Sequence, residues 1–289
     1  MAYLIDKLGH IGGFQYLGQT SSVPGRIEKR KRPRNFGTFV YGIPLIALFL
    51  LAWEVAPRLG WMNPIFFPAF SDVLVALQAL AASGELGIHV GASLQRAVIG
   101  FVLAVFTAIP LGFLMGRYGI FEKVTDLLVQ TLRNTSQFAL LPVFILLLGI
   151  GEASKIAITF YSSVFFLLIN TISGVKSVDP LLLKAARSMG TTEADLFRKV
   201  ILPASIPSIV AGARLAVKSS VFAVIGAEML AAKSGIGYLI QHSQLMMQTA
   251  DMYAGILVLT LIGLAINYLL VWFEQRATAW KATSESSVA

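Results

Sequence analysis

The 289-residue chain has no cysteine. That excludes a disulfide framework and any thiolate metal site. Charge is also scarce: Asp, Glu, Lys and Arg make up 13% of the residues, against 56% hydrophobic. Soluble domains carry roughly a quarter charged residues. An integral membrane protein is therefore indicated, in keeping with a mean hydropathy of +0.74. Period-two alternation is missing, which excludes a membrane β-barrel. The phosphate-binding pattern G-x-x-x-x-G-K-[ST] is absent, so ATP is not bound through such a loop. The H-E-x-x-H, G-x-S-x-G and EF-hand patterns are absent too. His10, His89 and His242 are scattered without metal-ligand spacing. Neither a catalytic residue, nor a metal, nor a cofactor is expected. No internal repeat is visible, which argues against an inverted-repeat secondary transporter. Met1 to Gln19 has neither an unbroken apolar core nor a small-residue cleavage site, so no signal peptide is expected.

What is present is a series of apolar runs. Spans are expected at Phe39–Ala56, Gly91–Met115, Phe138–Ile150, Ala153–Gly174, Pro207–Leu230 and Tyr253–Phe273. The third is short and contains Pro142, and the segment Ile120–Leu132 before it is amphipathic. Between the first two spans, Ser71 is expected to cap a short helix through Leu80. Arg26, Lys29, Arg30, Lys31, Arg32 and Arg34 crowd ahead of the first span. With the N-terminus inside, Arg117, Lys123, Arg133, Lys176, Lys184, Arg187, Arg198, Lys199, Arg276 and Lys281 also fall inside, leaving Arg58, Lys155 and Lys233 outside. That asymmetry follows the positive-inside rule. It explains the net charge of +8 through topology and contact with anionic lipid, without nucleic acid.

One stretch is unlike the rest. Ser177–Pro203 reads as a hairpin of two short helices set between apolar spans. Asp179 before Pro180 is an N-cap with proline at the first helical position. Leu182, Ala185, Ala186 and Met189 recur at helical spacing as one apolar face. Gly190 supplies the left-handed stop. Thr192 and Asp195 form a capping box for the second helix, whose apolar face is Leu196, Phe197 and Val200, and Pro203 closes it.

The order Ala185-Ala186, Gly190, Val200, Leu202-Pro203 resembles the "EAA" loop of ABC importer permeases, with Lys184 in place of the usual Glu and Val200 in place of Ile. Across residues 40–280, Leu141-Pro142, Gly149-Ile-Gly151-Glu152, Ser154-Lys155, Gly174-Val-Lys176, Gly212 with Arg214, Ala227-Glu228 and Gly235-Ile-Gly237 resemble the permeases for taurine, alkanesulfonates, nitrate and bicarbonate. The proline-rich segment usual before the third span is replaced by Arg133-Asn134-Thr135-Ser136-Gln137. The resemblance implies an all-α membrane protein of six transmembrane helices with a cytoplasmic coupling-helix hairpin, the type I importer architecture. It implies a basic cytoplasmic tail at 1–38, a permease domain at 39–275 with the hairpin at 177–203, and a tail at 276–289. It further implies a bacterial inner-membrane location with both termini cytoplasmic. The implied partners are cytoplasmic ATPase subunits, a periplasmic or lipid-anchored solute-binding protein and a second permease copy as a homodimer. Ala185, Ala186, Gly190, Val200, Leu202 and Pro203 would then couple to the ATPase. The substrate would be a small solute, most naturally a small anion. An ATP-independent channel or secondary transporter is the alternative.

Charges inside the spans are the remaining signal, because charge at membrane depth is costly and faces water or a partner. Arg96 lies in the second span, and Arg214, Lys218 and Glu228 in the fifth. At about 100° per residue, Arg214, Lys218, Val221, Ile225 and Glu228 fall in one narrow sector. Arg214, Lys218 and Glu228 are therefore candidates for a translocation path. Against that, Arg214 can snorkel to the interface, Glu228 can cap the outer helix end, and Lys218 can pair inside the bundle. Asn134–Gln137, Ser162, Ser163 and Asn170 read as helix packing.

Overall fold

One helix carries a small residue at every fourth position: Gly100, Ala104, Ala108, Gly112 and Gly116. In a helix these positions stack on one face, and in lipid such a face lets two backbones approach. The computed structural model describes residues 36–277, with side chains from 43 to 276. It shows what that ridge does. A Cβ added to Gly100 would lie 2.6 Å from Thr159, one at Gly112 2.6 Å from Thr171, and one at Gly116 2.7 Å from Val175. Ala104 and Ala108 between them are fully buried, packed with Leu167, Leu168 and Ala216.

The ridge belongs to α3 (Glu85–Arg117), and the facing residues to α6 (Glu152–Lys176). On its other side α6 packs against α9 (Leu202–Ala231) by the same device. There, Cβ atoms at Gly174 and Gly212 would strike Ser208 and Asn170 at 2.9 and 2.5 Å. Ser163 closes the layer by donating to the carbonyls of Thr159 and Ala216. With α11 (Thr249–Ala277), these helices are long and apolar enough to cross a membrane. The described residues contain helices and no strand.

The chain divides into units at Met1–Leu48 and Phe49–Ala289. The described part of the first is the opening of α1 (Phe36–Arg58), whose Ile43, Leu45, Ile46 and Leu48 are exposed. Within the second, the end of α1 is tied to α2 (Phe70–Ala82). Ser71 does not cap α2 as expected. Instead the Glu54 carboxylate accepts from the Ser71 amide at 2.9 Å and from its hydroxyl at 3.0 Å. Trp53 donates to the Pro68 carbonyl and packs among Phe67, Phe70 and Tyr253.

The third span differs from its expected bounds. Phe138–Ile150 yields only α5 (Leu141–Leu148), eight residues and about 12 Å, too short to cross. The amphipathic segment before it is α4 (Gly119–Asn134), and the two run antiparallel to α6 as one interrupted crossing. Lys176 pairs with Glu122 near the start of α4, Tyr161 donates to the Leu132 carbonyl near its end, and Phe144 of α5 meets Tyr161 edge-on. Pro142 accounts for the interruption. A continuous helix would drive its ring into the Phe138 carbonyl, whereas in the first turn of a new helix its missing N–H costs nothing.

Beyond α6 come α7 (Pro180–Ser188) and α8 (Glu193–Leu196), the expected hairpin. Pro203 does not close the second arm. A wider π-helical turn at Phe197–Ile201 absorbs the change, and the backbone runs straight into α9 with Pro203 in its first turn. At the opposite end of the bundle, α10 (Ile236–Leu245) links α9 to α11.

Candidate functional site

The end of the bundle opposite the hairpin is sealed by an ionic knot. Arg96 of α3 is 3% exposed, and burying its charge there without partners would be costly. Its Nε and Nη2 grip the Glu152 carboxylate at 2.5 and 2.8 Å, and its Nη1 reaches Glu228 at 2.6 Å and the Ser234 carbonyl at 2.7 Å. Glu228 is fully enclosed and also accepts from the Ser93 hydroxyl, at 2.7 Å, and from the Gly237 amide, at 3.0 Å. Gly235 and Gly237 are required by this fit. Gly235 has φ +119°, and its Cβ would sit 2.2 Å from the Glu228 carboxyl carbon. A Cβ at Gly237 would lie 2.3 Å from the Ile225 carbonyl. Lys155, counted on the outer side at the start of the fourth span, is 4% exposed and donates to Glu152 at 3.2 Å. Glu228 is thus a partner in a lock between helices. Its carboxylate is taken up by Arg96, Ser93 and the Gly237 amide.

The rest of the narrow sector on α9 has separate surroundings. Arg214 bonds Glu274 of α11 at 2.7 Å. Val221 and Ile225 pack with Val258, Leu259 and Ile262. Lys218, half-buried beside exposed Leu215 and Phe222, makes no hydrogen bond or ion pair among the described residues.

The open space lies at the interruption of the third span. A cavity of about 690 Å³ is lined by Arg133–Phe138, by Tyr161, Ser162, Phe165, Phe166, Ile169 and Asn170 of α6, and by Ser219 of α9. A groove of about 490 Å³ continues from it toward the hairpin, between Met115, Glu122, Asp126, Val129, Gln130 and Arg133 on one side and Ile169, Ile172, Ser173, Lys176 and Ser177 on the other. Arg133 and Ile169 belong to both. Asn134–Gln137, Ser162 and Asn170, which the sequence suggests as packing, therefore line the cavity, whereas Ser163 does pack. The signal that could have found them is α4 itself, whose polar face carries Glu122, Asp126, Gln130 and Arg133 through half of a membrane crossing.

At the hairpin, Gly190 has φ +75°, and the Ala186 carbonyl accepts from the amide of Thr191 at 3.3 Å and from its hydroxyl at 2.6 Å. Asp179 and Thr192 cap the two helices, accepting from the Leu181 and Asp195 amides. Asp195 does not complete a reciprocal box; its carboxylate pairs with Lys199 at 3.1 Å. The expected apolar face splits. Ala186 and Leu196 turn inward with Phe113, Val175 and Ile201, with Val200 and Leu202 packed around them. Leu181, Leu182, Ala185 and Met189 point outward, Met189 being 79% exposed.

Relatives share this sequence over most of their length. A protein named a probable ABC transporter permease in Brucella abortus is 38% identical over 82% of this chain and 96% of its own. The taurine transport system permease protein TauC of Escherichia coli is 30% identical over 82% and 88%, and the nitrate import permease protein NrtB of Synechococcus elongatus 28% over 84% and 90%. The fold matches a chain of the inward-facing MetNI methionine ABC transporter with a TM-score of 0.60 at 17% identity, covering 66% of this chain and 94% of that one. Residues 108–279 match the family of binding-protein-dependent transport system inner membrane components. With its broken third crossing, capped hairpin and helical bundle, the chain belongs to that family and is a permease subunit of an ABC importer.

Proposed function

We propose that the chain carries a small anion across a bacterial inner membrane, paired with a second copy of itself. The observation that carries this is the polar cavity and groove around Arg133, running from mid-bundle to the hairpin end. Taurine and nitrate, named for two relatives, each present a compact oxyanion. Lys218 adds a second cation without a protein partner at membrane depth. Of the three path candidates on α9 it fits best, with Arg214 beside it, half-buried on Glu274.

Energy comes from a separate cytoplasmic ATPase, and a solute-binding protein delivers cargo at the end sealed by Arg96. The outward residues Leu181, Leu182, Ala185 and Met189 dock in the ATPase, while Ala186, Gly190, Val200, Leu202 and Pro203 hold the hairpin in shape. This orientation puts the hairpin and both termini inside the cell. Because the chain lacks cysteine, single cysteines test it directly. Ser83→Cys should react with an impermeant thiol reagent in intact cells, and Ser188→Cys only after permeabilisation. The reverse pattern refutes the orientation. Uptake that persists without the ATPase subunit refutes the importer mechanism in favour of a channel.

A further inference from the structure

Arg133 stands where the polar cavity meets the groove, at the end of α4 and partway along a membrane crossing. Among the described residues its guanidinium has no carboxylate and no hydrogen-bond acceptor. Arg133 itself is exposed, whereas buried Arg96 is saturated by two carboxylates and a carbonyl. Gln137 on the same wall also makes no hydrogen bond among the described residues. Among the described residues, the amides of Ser136 to Ala139 donate to no backbone carbonyl, since the helix breaks there. Arg133, Ser136 and Gln137 thus line the cavity with donors, and the carboxylates lie in the groove, at Asp126 and Glu122. Glu122 is neutralised by Lys176, whereas Asp126 has only the Gln130 amide, at 3.4 Å.

We propose that the interruption of the third span is a resting site for one small oxyanion of the sulfonate or nitrate kind, with Arg133 as its charge partner and Gln137 and Ser136 as hydrogen-bond donors. This rests on the importer reading and names the residues that would select its cargo. A planar guanidinium matches such an anion in two parallel hydrogen bonds. Asp126, two turns below on α4, repels an anion that has left Arg133 and so keeps the groove from becoming a second resting site. Asn170 and Ser219 complete the polar wall, and Phe165 and Phe166 limit its width.

The test uses the full chain bearing Ser136→Cys as its single cysteine, purified with its ATPase partner. A sulfonate-bearing methanethiosulfonate reagent and its trimethylammonium counterpart are compared, each rate divided by that reagent's rate with free cysteine. The anionic reagent should be favoured by about tenfold, the size of effect that one unscreened charge produces in a cleft. Millimolar taurine or nitrate should slow it. Arg133→Gln should remove the preference and the protection, and Arg133→Lys should keep most of the preference. Equal normalised rates in the parent chain, or a preference that survives Arg133→Gln, overturns the proposal. ATPase co-purification is scored in the same samples. Its loss in the parent chain refutes the importer reading, whereas its retention with no anion preference refutes the resting site alone.

Discussion

Arg96 and Arg133 both lie within membrane crossings of one bundle, and their surroundings are opposites. Around Arg96 every polar atom is matched, two glycines make room for the fit, and no space is left. Around Arg133 the side chain opens onto a cavity and has no protein acceptor among the described residues. The same residue type is thus a fastener where it is saturated, and where it opens onto a cavity it is the proposed site. Charge at depth alone does not separate these roles; the count of partners does.

Breaking the fastener should have the largest effect. Glu228→Ala removes the carboxylate that joins α9 to Arg96, Ser93 and the Gly237 amide. Losing one partner of a buried pair costs about 3–5 kcal/mol. Thermal unfolding of the purified chain in detergent should show a strongly lowered midpoint. Combining Glu228→Met with Arg96→Met should recover part of that loss, since no uncompensated charge remains. A double variant no better than the worse single one would show that the loop at Gly235 matters more than the charges.

The small-residue ridge comes next. Gly112→Leu forces a side chain into Thr171 at a contact already 2.6 Å from the added Cβ. Overpacking of this kind costs about 1–3 kcal/mol. Gly119→Leu, with nothing within 4 Å, is the control and should shift the same unfolding midpoint little.

The sequence made some of this legible and hid the rest for physical reasons. Hairpin caps are local, so Asp179, Thr192 and Gly190 could be read from neighbours within one turn. The long spans announced themselves by apolar length. The third crossing did not, because its first half is polar on the face that lines a groove, and hydropathy counts that face against it. Glu228 and Arg96 are 132 residues apart, and nothing local marks them as a pair. For the same reason a helical wheel could align Arg214, Lys218 and Glu228 without seeing that Arg214 goes to Glu274, Glu228 to Arg96, and Lys218 to neither. The hairpin's apolar residues were visible as a set, but which of them turn inward depends on Phe113 and Val175, supplied by other helices.

A smaller effect on folding is expected at Gly190. Its φ of +75° is unfavourable for a β-branched residue, yet a Cβ there meets nothing within 4 Å. Gly190→Val should therefore cost about 1–2 kcal/mol in backbone strain and leave the bundle folded. Altering the hairpin angle moves Leu181, Leu182 and Met189 together, so ATPase co-purification should fall about tenfold, the equivalent of 1.4 kcal/mol. Lys184→Ala, on an exposed side chain, should leave co-purification nearly unchanged. If Lys184→Ala weakens co-purification and Gly190→Val does not, the contact is governed by charge rather than by shape.

The smallest effect on stability, and the sharpest test of the contrast between saturated and open charges, is expected at Lys218. It has no ion pair among the described residues to lose, so Lys218→Gln should change the unfolding free energy by no more than about 0.5 kcal/mol. Arg214→Gln is its companion. Arg214 is bonded to Glu274 with both side chains 32% exposed, a setting in which a pair contributes about 0.2–1 kcal/mol. Stability alone would thus rank the arginine above the lysine. Transport should rank them the other way, because a cation that no protein group neutralises is the one available to a passing anion. In vesicles holding the assembled transporter, Lys218→Gln should lower anion uptake severalfold while Arg214→Gln leaves most of it. If Lys218→Gln instead destabilises the chain more than Arg214→Gln and leaves uptake intact, Lys218 is a fastener like Arg96, and the number of visible partners fails as a guide to which charges do the transporting.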